Sequence, residues 1–471
     1  MAQFKFSAEI GKTNLFLIDK SKLEGRLDPI FYASDLTKFN SGKFKSLSIG
    51  KVAYSFKSGF GAGKKDQTGI ENGIIHVRPT NLGKDGLLNF NKNVFVPIND
   101  KADLLEIGDV LFNNTNSQDL VGKTSIVRDE KELYYSNHIT RIRVDVSLIL
   151  PEYLWIILNI YQEHKVFYSI CTNWNNQSGI GIELLKQLKI PVPDIGLQQK
   201  IVDIHTNALT NKKNKEKEAK KIINSIDSFL LEKLGVELPE ISDSFKNRIF
   251  NSSFRKISGG RLDPNFIRKI KQINSISGKF PKQKLKDLLL VNPQYGANEA
   301  AVNRSEKNQY RYIRITDIDD NGSLRNNKWK TAKNINQIYK LDLGDILIAR
   351  TGATVGKTYL HSDNSLKAIF AGYLIRFVFD KEKILPEYVF YYLNSSIFKL
   401  WISAFQRPSG QPNINSEEYK SFEIFVPPIS KQRDISEHIY ALREKANNLK
   451  LEATKELIKA NIKIEQIILE K

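Results

Sequence analysis

The chain has one cysteine, Cys171, among its 471 residues. A single thiol excludes an internal disulfide and any multi-cysteine metal site, and makes the reducing cytoplasm the expected compartment. No stretch reaches the roughly 18 to 20 uninterrupted apolar residues that a membrane span needs, so no membrane association is expected. Met1–Ser7 has no apolar core or small-residue cleavage site, and no signal peptide is expected there. The histidines, His76, His138, His164, His205, His361 and His438, are scattered without His-x-x-x-His or His/Glu spacing, so no bound metal is expected.

Catalytic patterns are also missing. Thr351-Gly-Ala-Thr-Val-Gly-Lys-Thr358 imitates a phosphate-binding loop, but the first glycine of that motif falls on Thr351. In the earlier copy, Gly122-Lys-Thr124, the same position is Ser117. A side chain there obstructs the backbone cradle, so ATP turnover is not expected. Gly59-Phe-Gly-Ala-Gly63 lacks dinucleotide-binding spacing, and Asn113-Asn-Thr-Asn116 lacks the prolines of a methyltransferase Asn-Pro-Pro-Tyr. No nucleophile–base arrangement is legible. The expectation is a chain that is not an enzyme and holds no cofactor.

What the sequence does have is positive charge. Its net charge of +19, with 41% hydrophobic and 26% charged residues, describes a globular protein predisposed to polyanions. Each Lys or Arg set against a phosphate releases condensed counterions. A composition rich in Lys, Asn and Ile throughout would also raise the charge, so the charge informs only in combination with architecture.

That architecture is a repeat. Gly25-Arg-Leu-Asp-Pro29 recurs as Gly260-Arg-Leu-Asp-Pro264, and Gly61-Ala62 as Gly296-Ala297. Further matches are Arg78-Pro-Thr80 with Arg314-Ile-Thr316, and Ile107-Gly-Asp-Val-Leu111 with Leu343-Gly-Asp-Ile-Leu347. Val121-Gly-Lys-Thr124 pairs with Val355-Gly-Lys-Thr358, Leu150-Pro-Glu-Tyr153 with Leu385-Pro-Glu-Tyr388, and Pro193–Gln198 with Pro427–Gln432. All keep one order at offsets of 234 to 236, nearly half the chain. Each half is therefore one unit, with a kept scaffold and diverged loops.

Within a unit, short alternating or β-branched runs predict strands: Ile74–Arg78, Asp109–Phe112 and Thr140–Val144, with partners Tyr310–Arg314, Asp345–Ile348 and Leu374–Val378. Leu150–Tyr161 and Leu385–Leu393 carry a proline in the first turn and predict helices. After Pro427-Pro428, apolar residues fall at Ile435, Ile439, Leu442, Ala446, Leu449, Ala453, Leu457, Ala460, Ile464 and Ile467, close to a heptad seam. The first unit has Ile201, Ile204, Ala208, Ala219, Ile222, Ile226, Phe229 and Leu230, around a polar middle at Asn211–Glu218 and ending near Gly235. The expected fold is α/β (α+β): two tandem globular domains, each followed by a long helix. The helices are expected to pair as an antiparallel coiled coil, through Ile201, Ile222, Ile226, Ile435, Ile439, Leu442, Leu449 and Ile467. The expected divisions are 1–196, 197–235, 236–428 and 429–471.

These features together resemble the specificity (S) subunits of type I restriction–modification systems. The resemblance rests on two diverged domains that each end in Pro-x-x-x-x-Gln, Pro193 to Gln198 and Pro427 to Gln432, and lead into a long helix. Arg407-Pro-Ser-Gly-Gln-Pro-Asn-Ile-Asn415 is similar to the family's Gly/Gln/Asn-rich stretch before that boundary, with Asn173–Gly181 a less faithful copy. The resemblance implies two target-recognition domains, each reading half of a bipartite, asymmetric site in double-stranded DNA. It implies helices that act as a ruler and dock two modification (M) subunits, with restriction (R) subunits joining. S-adenosylmethionine, ATP and Mg then belong to those partners. Helices of 35 to 40 residues span roughly 55 Å, ample for readers about one DNA turn apart.

Reading bases needs donors and acceptors on loops, with Arg suited to guanine and Asn or Gln to adenine. The candidates are Lys64, Lys65, Asn114, Asn116, Gln118 and Lys123 in the first unit. In the second they are Tyr295, Asn298, Arg350, Lys357, Arg407, Gln411 and Asn413. Lys123 and Lys357 could equally contact phosphate, which carries no sequence information. Asp109 and Asp345 are expected to serve turns, and Arg26, Asp28, Arg261 and Asp263 a packing or ion-pair element. The alternative to a sequence reader is a coiled-coil scaffold whose basic domains bind nucleic acid without specificity.

Overall fold

The computed structural model describes residues 20, 39, 42–99, 102–174, 177–239, 251, 263–304, 309–325, 329–406 and 412–469. The repeated Gly25–Pro29 and Gly260–Leu262, with Arg26, Asp28 and Arg261, lie outside them, as do Arg407 and Gln411. The chain divides into two compact units, Met1–Lys215 with Leu451–Lys471, and Glu216–Lys450. Each long helix therefore contributes one part to each unit.

In the first unit an antiparallel sheet orders the strands Ala53–Ser58, Ile139–Val144, Val110–Asn113 and Thr124–Ile126. Beside it Gly73–Val77 pairs in parallel with Leu133–Tyr135 and antiparallel with Phe95–Pro97. Helix Pro151–Glu163 begins on its proline, where the missing N–H costs nothing. It buries Tyr153, Leu154, Trp155, Ile156, Ile157 and Tyr161 in the main core. Fully burying one such aliphatic side chain contributes about 1.5–3 kcal/mol.

The second unit repeats the plan. Its sheet orders Gln294–Tyr295, Leu374–Phe377, Ile346–Ala349 and Thr358–Leu360, and Arg311–Ile313 pairs in parallel with Ala368–Phe370. Helix Pro386–Tyr392 takes the place of Pro151–Glu163. Asp263 caps helix Pro264–Ser275 by accepting from the N–H groups of Asn265 and Phe266, which gives the Asp-Pro of that repeat a helix-start role.

Several matched motifs are fasteners. Gln198 is fully buried: its Oε1 accepts from Leu150 N at 2.8 Å, and its amide donates to Leu148 O at 3.0 Å and Pro193 O at 2.9 Å. Gln432 does the same with Leu385 N at 2.8 Å, Pro427 O at 2.8 Å and Lys383 O at 3.4 Å. Each glutamine ties the start of its domain helix to the start of a long helix. The tyrosine of Leu-Pro-Glu-Tyr completes the tie, with Tyr153 donating to Pro191 O and Tyr388 to Phe425 O, both at 2.8 Å. Burial pushes both phenols well above the usual tyrosine range, so they remain donors at physiological pH. The Gly-Asp pairs are turns: Gly108 and Gly344 have φ of 89° and 98°, and Asp109 and Asp345 accept from Glu106 N and Asp342 N.

The long helices run Ile195–Leu234 and Ile429–Leu469. Gly235 ends the first with a φ of 63°, a conformation that costs a glycine little. Within the first unit, Lys215 Nζ reaches Glu452 and Glu456, both at 2.8 Å, and Ile201 shares a core with Ile464 and Ile467. Within the second, Phe229 stacks on His438 at 4.1 Å, Lys445 meets Glu218 at 3.8 Å, and Ile226 shares a core with Ile435 and Ile439. Ile222, Leu442 and Leu449 are half-buried.

Candidate nucleic-acid interface

The same frame opens a cleft in each unit. In the first, the end of Gly73–Val77 delivers Arg78 and Thr80, the end of Val110–Asn113 delivers Asn116 and Ser117, and the turn before Ile139–Val144 delivers His138. Gln177 joins them because Gln177–Gly179 pairs antiparallel with Thr115–Asn116 and with Thr172–Trp174. The cleft encloses about 550 Å³. Arg78 forms part of its wall, donating to Ala62 O at 2.7 Å.

In the second unit the matched cleft encloses about 710 Å³ and is lined by Arg314, Thr316 and Tyr373 at the positions of Arg78, Thr80 and His138, with Tyr295, Asn298 and Arg350 added. Arg314 is held by two bonds to Asp317, whose carboxylate favours the charged guanidinium and raises its pKa. Arg350 lies over the Tyr295 ring, 5.0 Å from the centroid. The stretch resembling the family's polar segment enters through a Thr351–Asn413 bridge, matching the Thr115–Gly179 pairing of the first unit. The two linings therefore share positions and differ in chemistry.

The sequence candidates divide by environment. Lys64 and Lys65 are exposed on a 3-10 turn, and Asn298 and Asn413 are exposed as well. Asn116, Tyr295, Arg350 and Asn298 meet in the clefts. Gln118 donates its amide to Tyr168 O at 3.0 Å, outside that lining. Asn114 is buried, its amide donating to Thr140 Oγ1 at 2.9 Å and Asn137 O at 3.2 Å. Lys123 donates to Pro79 O at 3.3 Å, and burial together with the neighbouring Lys84 lowers its pKa. Lys357 instead pairs with Asp320 at 2.7 Å.

Sequence reasoning missed Arg78, His138, Gln177, Arg314 and Tyr373. A signal existed for the arginines, since both stand in a matched block, but they read there as scaffold. His138, Gln177 and Tyr373 become neighbours of the cleft only through strand pairing. The lysine-containing Val-Gly-Lys-Thr segments are turns at the ends of strands. Their glycines, Gly122 and Gly356, have φ of 86° and 85°. Among the described residues no group of three or more His, Cys, Asp or Glu could hold a metal ion, and no helix is long and apolar enough to cross a membrane.

Comparison with known proteins agrees with this architecture. The type I restriction modification DNA specificity domain matches twice, at residues 63–224 and 279–460. A chain named as the type I restriction enzyme MjaX specificity subunit of Methanocaldococcus jannaschii is 24% identical over 375 residues, covering 78% of each chain. The MjaVIII specificity subunit of the same organism is 22% identical over 430 residues, covering 86% of this chain and 88% of its own. A chain in a solved structure concerning complex assembly and conformational transition of the type I R-M system shares the fold with a TM-score of 0.51, at 15% identity. The likeness covers 91% of this chain and 97% of that one. Two matches in tandem, each spanning a sheet domain, its cleft and part of a long helix, place the chain in the type I restriction–modification DNA specificity family, as a subunit that selects DNA sequence and is not its system's catalyst.

Proposed function

We propose that each unit reads one half of a bipartite, asymmetric site in double-stranded DNA through its cleft and the loops around it. The observation that carries this reading is the pair of clefts, built at matched frame positions and lined by unlike side chains. Base edges in the major groove are told apart by their donor and acceptor patterns, so unlike linings select unlike half-sites. Lys64, Lys65 and Lys123 supply phosphate contacts that position the duplex. Asn116, Gln177 and His138 face the bases of one half, and Tyr295, Asn298, Arg350 and Asn413 those of the other.

The two long helices pair antiparallel and set the unread gap. The Lys215–Glu452 and Lys215–Glu456 pairs and the Phe229–His438 stack support that pairing within the respective units. Two modification subunits dock on these helices and restriction subunits join, in the cytoplasm. S-adenosylmethionine, ATP and Mg are held by those partners. The test is selection from random DNA by the chain in complex with its modification subunits. The expected result is two short conserved blocks at a fixed spacing, and exchanging residues 25–196 for another specificity domain changes one block only. A single contiguous block, or none, overturns the proposal.

A further inference from the structure

One backbone position is clamped identically in both units and carries a different residue in each. In the first unit Asn114 N donates to His138 O at 3.0 Å and Ile180 N donates to Asn114 O at 2.9 Å. In the second, Arg350 N donates to Tyr373 O at 3.0 Å and Ile414 N donates to Arg350 O at 2.9 Å. Both residues directly follow a fully buried central strand, Val110–Asn113 or Ile346–Ala349. The backbone there has little freedom, so the side chain decides what the position does.

Asn114 turns inward and spends its amide on Thr140 and Asn137, while its Oδ1 accepts from the Thr115 hydroxyl at 2.9 Å. Arg350 lines the open cleft. Its guanidinium lies over the Tyr295 ring, and that ring is itself fixed: the phenol donates to Ser416 Oγ at 3.2 Å and accepts from Ser416 N at 3.1 Å. No carboxylate lies within ion-pair distance of Arg350 among the described residues, and its Nε is buried without a partner. A phosphate contact needs only a charge, which a lysine on a flexible stem supplies. A guanidinium anchored at its backbone and held against a ring instead presents paired N–H donors in a fixed plane. Guanine O6 and N7 are the base-edge acceptors that match such a fork.

We propose that Arg350 reads a guanine in the half-site of the second unit, with Tyr295 as the residue that positions it, and that Asn114 at the same frame position reads no base. This rests on the proposed function above and names one base and one reader within it. The test repeats the selection with the full complex carrying Arg350→Ala, Arg350→Lys, Tyr295→Ala or Asn114→Ala. The wild-type complex should show a G·C pair at one position of the block assigned to the second unit. Arg350→Ala should relax that position alone, with roughly a ten- to hundredfold loss of affinity for the selected site, and leave the other block intact. The intact block reports that the chain still folds and assembles. Arg350→Lys should relax the same position because charge without the fork does not restore the choice. Tyr295→Ala should blur it partly.

Equal weakening on all sequences would identify Arg350 as a phosphate contact and overturn the inference. So would an unchanged preference, or relaxation of a block position by Asn114→Ala. Failure of the wild-type complex to select two blocks would remove the proposed function itself; two blocks with no Arg350-dependent guanine would remove only this inference.

Discussion

Lys123 and Lys357 stand in the same Val-Gly-Lys-Thr block, yet their electrostatic surroundings are opposite. The loop facing Lys123 carries Lys84, which together with burial lowers its pKa, and no carboxylate lies within ion-pair distance among the described residues. The matched loop of the second unit carries Asp320, which pairs with Lys357 at 2.7 Å and is itself held below the usual carboxylate range. One change of sign on a loop leaves the first lysine available for an anion and satisfies the second internally. The same loops are fastened by different donors. Trp155 Nε1 donates to Gly86 O at 2.8 Å in the first unit. Phe390, in the equivalent place, cannot donate, and Arg443 from the second long helix donates to Asn321 O at 2.7 Å instead. Two domains can thus keep one frame while exchanging the groups that hold and charge it.

The comparison can be broken most forcefully at the paired left-handed glycines. A Cβ at Gly122 would lie 2.2 Å from Phe167 Cδ2, against an aromatic ring in the main core. At Gly356 the nearest atom is Ile402 Cγ1 at 2.8 Å, on a side chain with freedom to turn. Both substitutions also place a side chain at positive φ. Gly122→Ala should cost about 3–4 kcal/mol and Gly356→Ala about 2 kcal/mol, read from denaturant unfolding of the full chain. Equal costs would show that the two frames do not differ at this point.

A smaller effect distinguishes the units by pH. His205 is buried edge-on against Trp155 at 4.8 Å, and desolvation, with a lesser contribution from Arg128, lowers its pKa to about 4. Ile439, equally buried, occupies the equivalent position of the second unit at the offset that relates Gln198 to Gln432. Because the folded state resists protonation of His205 and the unfolded state does not, its contribution is complete above the unfolded pKa near 6.5. It is lost as pH falls toward 4. By pH 5 that loss should reach about 2 kcal/mol. His205→Phe should remove this part of the slope of stability against pH. An unchanged slope would contradict the burial argument.

The smallest expected effect tests the charge reversal. Lys123→Met should lower the salt dependence of DNA binding by about one phosphate contact, a slope change near 0.9 in log K against log salt. Lys357→Met should change it much less, because Asp320 already neutralises that amine. Equal changes would mean that DNA displaces Asp320 and that the two lysines are equivalent.

Much of the fold was legible in the sequence. The long helices lie at Ile195–Leu234 and Ile429–Leu469, against expected spans of 197–235 and 429–471, because period, proline and glycine act locally. The strands around Val110 and Ile346 were legible for the same reason. The candidate site was less so. Asn114 reads as a polar loop residue, but the strand it follows turns it into the interior. Gln177, His138 and Tyr373 carry no local mark. Their place at a cleft follows from strand pairings between distant segments.

The sequence by itself determined the repeat, the two long helices, the turns at Gly-Asp and the family of the chain. Each of these depends on residue type at short or fixed separation, which a linear reading preserves. Only the tertiary structure decided which polar groups are spent and which remain available. Gln198 and Gln432 prove to be buried fasteners, Asn114 an interior bond, Lys357 an internal ion pair and Arg350 a half-buried fork over Tyr295 at the cleft. The physical reason is that a donor or a charge acts through its neighbours, and those neighbours come from segments brought together only when the sheets and helices pack.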